Sequence, residues 1–416
     1  MNGKLRTSAT AAALALAAAG LLPAANAGAR PAGCPTLKIS DGWYGDNKAR
    51  IDAFIAEHCE DRDGRKPVAV LDWDNTVVKN DVGDATFYWL LRNDRVRPPE
   101  GGDWSTTSRH LTPEAATALG RACPTGVRTL PTATDTRCAD ELLSVYGSGT
   151  TTGGKTAFAG YDHRRTEPQY AWLAQLLHGW TTRQAASFAA AARAENLAAP
   201  QGATQRVGTA QVTAWVRYYD QQRDLIRALQ DAGFDVRIVS ASPEPVVDVW
   251  AKDVGVDPAH VLGIRNTTDH GRLTTHLKGC GTVRDGEDTM ITYIDGKRCW
   301  INQEVFGVRG PAAERVQPAD RRQAFAAGDS DTDVSFLRDA TGLRLVLNRN
   351  KNELMCRAYE NGDGRWLVNP MFIEPKKRKP APYPCATTGY TAADGTLQPV
   401  RRPDGTVIPD QTDSVH

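Results

Sequence analysis

Two acidic segments stand where acids can do chemistry. Asp72-Trp73-Asp74-Asn75-Thr76 follows the apolar run Val68-Ala69-Val70-Leu71, and Gly328-Asp329-Ser330-Asp331-Thr332-Asp333 closes the small-residue run from Ala324. A short apolar run that ends in acids reads as a buried parallel strand whose carboxyl end carries function. Acids two apart on a strand share a face, but this run stops at Asp72, so the chain can leave the pleat and turn both carboxylates toward one site. Asp72 can then attack phosphorus. Asp74, kept protonated by its like-charged neighbour, can donate to the leaving oxygen. Taken alone, the same five residues also read as a solvated turn between strand and helix.

Phosphoryl transfer also asks for groups that hold the phosphate and balance its charge. Ser240, at the end of Val236-Arg237-Ile238-Val239, offers a hydroxyl. Ala241 and Ser242 lead into a helix whose free N–H groups suit an anion; an ordinary helix cap explains them locally just as well. Lys297, in Tyr293-Ile294-Asp295-Gly296-Lys297, is preferred over Lys278 as the cation near the acids. Asp329 is placed to share a hard divalent cation with Asp72, and Mg²⁺ takes a few carboxylates, waters and phosphate oxygens. A calcium loop is the rival for this acid spacing, but the segment lacks the loop's later glycine and its final glutamate.

The four segments, in this order and each on a strand end or turn, resemble the haloacid dehalogenase superfamily over roughly residues 66 to 90 and 205 to 350. The resemblance implies an α/β fold, a Rossmann-like parallel sheet with an inserted, mostly helical cap. It implies Mg²⁺ and an aspartyl-phosphate on Asp72, with Asp74 as general acid/base that also lends its carbonyl to the metal. Ser240, Ala241 and Lys297 would hold the phosphate; Asp329 would bind the metal and Asp333 would support that site. Members that cleave carbon–halogen bonds lack an acid at the Asp74 position, whereas phosphatases carry one. The long insert is similar to the cap of the phosphoserine phosphatase branch. Val239-Ser240-Ala241-Ser242-Pro243-Glu244 is similar to the branch with phosphocholine and phosphoethanolamine phosphatases. A phosphotransferase of the same fold and a non-catalytic secreted binding protein are the alternatives.

Elements must carry these residues, and the chain divides accordingly. Residues 28–65 form a leader with a helix at Asn47–His58; 66–90 and 205–372 form the α/β core; 91–204 form the cap; 373–416 form an irregular tail with a turn at Pro403-Asp404-Gly405. Helical periodicity recurs at Thr86–Leu91, Glu114–Ala122, Tyr170–Leu177 and Thr182–Leu197. A helix is expected from Thr209 to Ala232, with strands at Asp235–Ser240, Val261–Ile264, Ala324–Gly328 and Leu343–Leu347. Extended pieces are expected at Gly271–Val283 and Met290–Ile301.

Lys4 and Arg6, the apolar stretch Ala9–Leu22 and Ala25-Asn26-Ala27 have the form of a secretory signal cleaved after Ala27, too short to span a bilayer comfortably. Eight cysteines then remain, an even count that reads as disulfides in an exported chain, and sequence neighbours pair most economically: 34–59, 123–138, 280–299 and 356–385. The formal charge of +1 and the lack of any like-charge block longer than Lys376-Lys377-Arg378-Lys379 give no footprint for nucleic acid or an anionic membrane. The expected partner is a small phosphorylated substrate. Asp81, Asp84 and Glu244 are candidates to set its identity, the first two as acids that would suit an amine-bearing leaving group. Tyr88, Trp89, Trp172, Trp180, Trp215, Tyr218 and Tyr219 are candidates for an aromatic cage around such an amine, although packing explains most residues of these types.

Overall fold

The computed structural model describes Met1 and residues 33–60 and 66–416. The expected signal and its cleavage site lie outside the described residues. Val68–Leu71 forms β1, paired in parallel on both sides, with β2 (Asp235–Pro243) and with β4 (Phe325–Gly328). β3 (Val261–Ile264) extends the sheet beyond β2, while β5 (Arg344–Asn348) and β6 (Trp366–Pro370) extend it beyond β4. All six strands are parallel, in the order β6-β5-β4-β1-β2-β3. The runs are apolar throughout because both faces are covered: Ala69 and Leu71 join one core with Ile51 and Phe234, and Val70 joins the other with Val239 and Phe336.

After β1 the chain winds to β2 and β3 on one side, then returns to β4 on the other. The order therefore reverses between β1 and β4, and the crevice at their carboxyl ends is where such sheets bind ligands. Asp72 and Asp329 are the first residues past those two strands.

Helix α1 (Asn47–Glu60) precedes the sheet. Between β1 and β2 come α2 (Val82–Arg92), α3 (Pro113–Ala122), α4 (Thr136–Ser148), α5 (Pro168–Gln175) and α6 (Thr182–Ala198). They bury an apolar core of their own, including Phe87, Leu90, Leu119, Leu142, Trp172 and Leu177. Leu273, from the hairpin Asn266–Asp269/Arg272–Leu277, reaches into it. Around the sheet lie α7 (Asp220–Asp231), α8 (Glu244–Ala251), α9 (Asp295–Glu304), α10 (Val334–Asp339) and α11 (Asn352–Glu360). No helix among the described residues is long and apolar enough to cross a membrane.

Several elements depart from expectation. The helix before β2 starts only at Asp220. The stretch before it holds an antiparallel pair, Thr204–Val207 with Ala210–Thr213, turning at Gly208 (φ 56°), and a short strand, Arg217–Tyr218, paired with Val78–Lys79. Asp295–Glu304 is helical rather than extended; the Asp-Gly pair opens a helix instead of turning a hairpin. β6 was not expected; its run ends in a proline, which an edge strand tolerates. In the tail, Arg401 bridges Val407 around the Pro403-Asp404-Gly405 turn.

The cysteines form four bridges between sequence neighbours, 34–59, 123–138, 280–299 and 356–385. Cys280–Cys299 anchors α9, the helix that carries Lys297. At the start of α9 space is tight: a Cβ on Gly296 would lie 1.8 Å from the Ile291 carbonyl oxygen. Gly296→Ala should therefore cost about 1–3 kcal/mol in urea unfolding; an unchanged midpoint would contradict this packing.

Candidate active site

Beyond Leu71 the chain leaves the pleat through Asn75 in the left-handed region (φ 61°), a conformation asparagine tolerates. Trp73 turns into the sheet core, and Asp72 and Asp74 turn out toward the crevice, both lining the same cleft. Lys297 Nζ donates to Asp72 Oδ1 at 2.7 Å and to Asp333 Oδ1 at 2.6 Å, and its side chain is fully buried. Burial pulls the ammonium's pKa down, but Asp333 and Asp72 outweigh it and hold the pKa above the usual lysine range. Lys278, the competitor, is an exposed side chain paired with Asp285 at 2.7 Å, far from this cluster in its partners.

Asp333 has both oxygens engaged. Oδ1 accepts from Lys297 and Thr332, and Oδ2 accepts from the N–H groups of Asp329 and Ser330 at 3.0 and 3.1 Å. A Cβ on Gly328 would lie 2.7 Å from the Asp333 Cβ, so the strand end must be glycine for this carboxylate to tuck beneath it. Asp329 accepts from Thr76 Oγ1 at 3.2 Å and from Arg349 Nη1 at 2.6 Å, and Thr76 also donates to Asp72 Oδ2 at 3.0 Å. Ile294 ties the lysine turn to this loop: its N–H donates to the Thr332 carbonyl at 3.0 Å, and its carbonyl accepts from Ser335. It does so at φ 42°, a strained conformation for a β-branched residue.

Asp72, Asp329 and Asp333 each bring a carboxylate oxygen within 4.8 Å of the others. Burial first, then the neighbouring carboxylates, raises the Asp72 pKa; burial also raises that of Asp329, against the pull of Arg349. An all-oxygen donor set short of positive charge fits a hard divalent cation. Asp72 and Asp329 are the residues that would hold one; Asp333 is committed to Lys297 and the loop amides.

Asp74 accepts from the Val82 N–H at 2.7 Å and from Ser242 Oγ at 2.8 Å. Burial, then Asp81, raises its pKa well above the usual carboxylate range. Ser240 is fully buried. Its Oγ lies 3.4 Å from Asp74 and accepts the Ser242 N–H, and its carbonyl accepts from Thr292 at 2.5 Å. Of the two serines, Ser242 faces the cleft, next to Ala241.

A larger cleft of about 490 Å³ adjoins this point, lined in part by Asp81, Asp84, Tyr88, Glu167, Trp215 and Arg349. Asp81 caps α2, accepting the Asp84 N–H at 2.9 Å. Asp84 accepts from Tyr146 at 2.7 Å, and burial, then Asp81, pushes its pKa up to about 7. Glu244 does not belong here: its carboxylate turns the other way, to the Gly263 N–H at 3.2 Å and to Arg265. Of the aromatic candidates, Tyr88 and Trp215 line the cleft. Trp172 is buried in the helical core, Trp89 stacks on Phe188, Trp180 lies under Arg97, and Tyr218 reaches Asp253. Tyr219, fully buried, packs on Phe372.

Four site residues were not singled out from the sequence: Thr76, Ser242, Arg349 and Tyr146. Thr76 lies within the first acidic motif, and Ser242 lies two residues past Ser240. Arg349 follows β5, so the strand-end logic that found Asp329 applies to it. Tyr146, on α4, had no comparable signal.

A doubly wound parallel sheet with buried acids at its switch point defines the class, an α/β enzyme that works at strand ends. The model of the haloacid dehalogenase-like hydrolase family matches residues 153–338, a stretch that holds Ser240, Lys297, Asp329 and Asp333 and begins after Asp72 and Asp74. Over that stretch the chain is similar to the haloacid dehalogenase-like hydrolases. Among solved structures, a conserved protein of unknown function from Anaerococcus prevotii aligns at 20% identity over 79% of this chain and 92% of its own, with a TM-score of 0.57; that likeness speaks to the fold. A protein of unknown function from Bordetella pertussis aligns at 17% identity over 74% of this chain and 99% of its own (TM-score 0.43). A substrate-bound phosphoserine phosphatase aligns at 12% over 68% and 86% (TM-score 0.30), and neither of these two bears weight here. No curated protein matches the chain in sequence.

Removing Lys297 would leave Asp72 and Asp333 buried without their cation. Lys297→Ala should cost about 3–5 kcal/mol of unfolding free energy. Lys278→Ala removes only an exposed pair, whose contribution is about 0–1 kcal/mol. Equal losses in denaturant titrations of the two variants would contradict this geometry.

Proposed function

We propose that the protein is a secreted, Mg²⁺-dependent phosphomonoester hydrolase that works through a phosphoryl group carried on Asp72. The observation that carries the reading is the buried cluster of Asp72, Asp329 and Asp333 with Lys297 bridging two of them. The apolar leader and the four disulfides support export.

An Asp72 carboxylate oxygen attacks phosphorus, and the bond from phosphorus to the ester oxygen breaks. Asp74, whose raised pKa suits a proton donor, gives its proton to the departing alkoxide. Asp74 then takes a proton from a water that attacks the phosphoryl group, which releases phosphate and restores the Asp72 carboxylate. Lys297, the Ser242 hydroxyl and the backbone at Ala241 hold the phosphoryl oxygens, with Ser240, expected from the sequence in that role, buried beneath them and orienting Asp74 and the Ser242 N–H. Asp333 keeps Lys297 in place. Bound Mg²⁺ would neutralise charge on the phosphoryl oxygens.

The leaving group this cleft suits is polar and amine-bearing. Asp81, Asp84 and Glu167 supply negative charge, Tyr88 and Trp215 supply aromatic faces, and Lys79, Arg349 and Lys376 supply cations for a carboxylate where one is present. Phosphocholine, phosphoethanolamine and phosphoserine are the substrates of that description.

Asp72→Asn should abolish turnover of a phosphomonoester while leaving the circular dichroism unchanged, and EDTA should silence the wild type until Mg²⁺ is added back. Substantial activity in the variant, or indifference to EDTA, overturns the mechanism. Asp84, protonated below about pH 7, becomes an anion above it. The KM for phosphoethanolamine should accordingly fall severalfold from pH 6 to 8 relative to that for a neutral alkyl phosphate, and Asp84→Asn should remove the difference. Parallel KM profiles for the two substrates in the wild type would reject the amine assignment.

A further inference from the structure

A second cavity, of about 620 Å³, lies at the end of the sheet opposite Asp72. Arg344 opens β5 and Trp366 opens β6, and both line it. The five residues of β5 put it about 15 Å from the acidic edge.

Its walls gather six arginines: Arg298, Arg322, Arg338, Arg344, Arg357 and Arg402. Four of them are neutralised. Arg298 pairs with Asp339 at 2.5 Å, Arg344 with Asp363 at 2.5 Å, Arg357 with Glu353 at 2.8 Å and Arg402 with Glu360 at 2.7 Å. Arg322 and Arg338 have no carboxylate partner among the described residues, and Arg322 Nε is buried without a hydrogen-bond acceptor. The C-terminal tail closes one side. Arg357 donates to the Arg401 carbonyl at 3.0 Å, and the Cys356–Cys385 bridge fastens the tail to α11. Trp366, Pro403 and Ile408 give the cavity an apolar part.

Crowding guanidinium groups costs free energy unless something negative offsets it. Burial, then Arg357 and Arg298, pulls the Arg338 pKa down to about 10. Two open guanidinium forks match the oxygens of a phosphate, which they can grip in a bidentate way. An apolar wall with a few convergent polar groups is how small-molecule sites are built. The six guanidinium groups face Asp339, Glu360, Asp363 and Asp404 on the cavity wall and Glu353 behind Arg357, so positive charge stays in excess, and Arg322 and Arg338 are the two without an ion-pair partner among the described residues.

We propose that this cavity is a second ligand site, separate from the acidic crevice, that binds a small organic phosphate dianion. Arg322 and Arg338 grip the phosphate, and the apolar part of the ligand rests on Trp366 and Ile408. The proposal stands whether or not Asp72 is the nucleophile, since it uses none of the same residues.

Phenylphosphonate, a non-hydrolysable aromatic dianion, is the probe. In the full chain at pH 8, phenylglyoxal labelling of Arg322 and Arg338, read by peptide mass spectrometry, should fall at least fivefold on saturation with phenylphosphonate. Labelling of exposed Arg128 should not change. Calorimetric titration should then lose one class of sites in the Arg322→Gln/Arg338→Gln variant, whose phosphatase rate should stay within twofold of the wild type. Unprotected arginines in the wild type overturn the proposal without recourse to any variant, as does identical binding by the folded double variant.

Discussion

Everything at the acidic edge turns on one constraint: carboxylates that converge while buried must be balanced by buried cations. Asp72, Asp329 and Asp333 meet at the end of the sheet, and Lys297 and Arg349 each satisfy part of that charge. A buried ion pair gains stability only when its geometry is good and its remaining lone pairs are satisfied. Thr76, Thr332 and two backbone N–H groups supply those further bonds. The carboxylates are thereby held in place, as the proposed binding of a phosphate and a hard cation requires.

Rigid parts of the fold maintain that convergence. β1 and β4 are neighbours in the sheet but far apart in the chain, so their tips are aligned by backbone pairing rather than by local sequence. Lys297 reaches the same point from α9, which Cys299 fastens to Cys280 and which the strained Ile294 links to the loop after β4. Strain of this kind persists where surrounding contacts over-determine it, and here the hydrogen bonds at both peptide groups of Ile294 do so.

The core sheet was largely legible because buried parallel strands write themselves as short apolar runs, and acids at their ends point to the crevice. Lys297 was harder to read. Its segment has the look of an extended piece around an Asp-Gly turn, whereas the chain enters a helix there with Gly296 close against the Ile291 carbonyl. Glu244 misled because it follows the serine segment so closely, yet Arg265, brought alongside by β3, draws it away. Arg349 and Tyr146 face the cleft through tertiary contacts with Asp329 and Asp84, and no local pattern announces such contacts. The short strands before α7 escaped notice because each pairs with a partner whose position the local sequence does not reveal.

During turnover a carboxylate oxygen of residue 72 should become bonded to phosphorus. Borohydride added during steady-state hydrolysis reduces an acyl phosphate to the alcohol, which would convert that aspartate to homoserine. Peptide mass spectrometry should find homoserine at position 72, dependent on substrate and on Mg²⁺. Homoserine at another acid, or an unmodified Asp72 in an enzyme that is turning over under the same quench, would contradict the account.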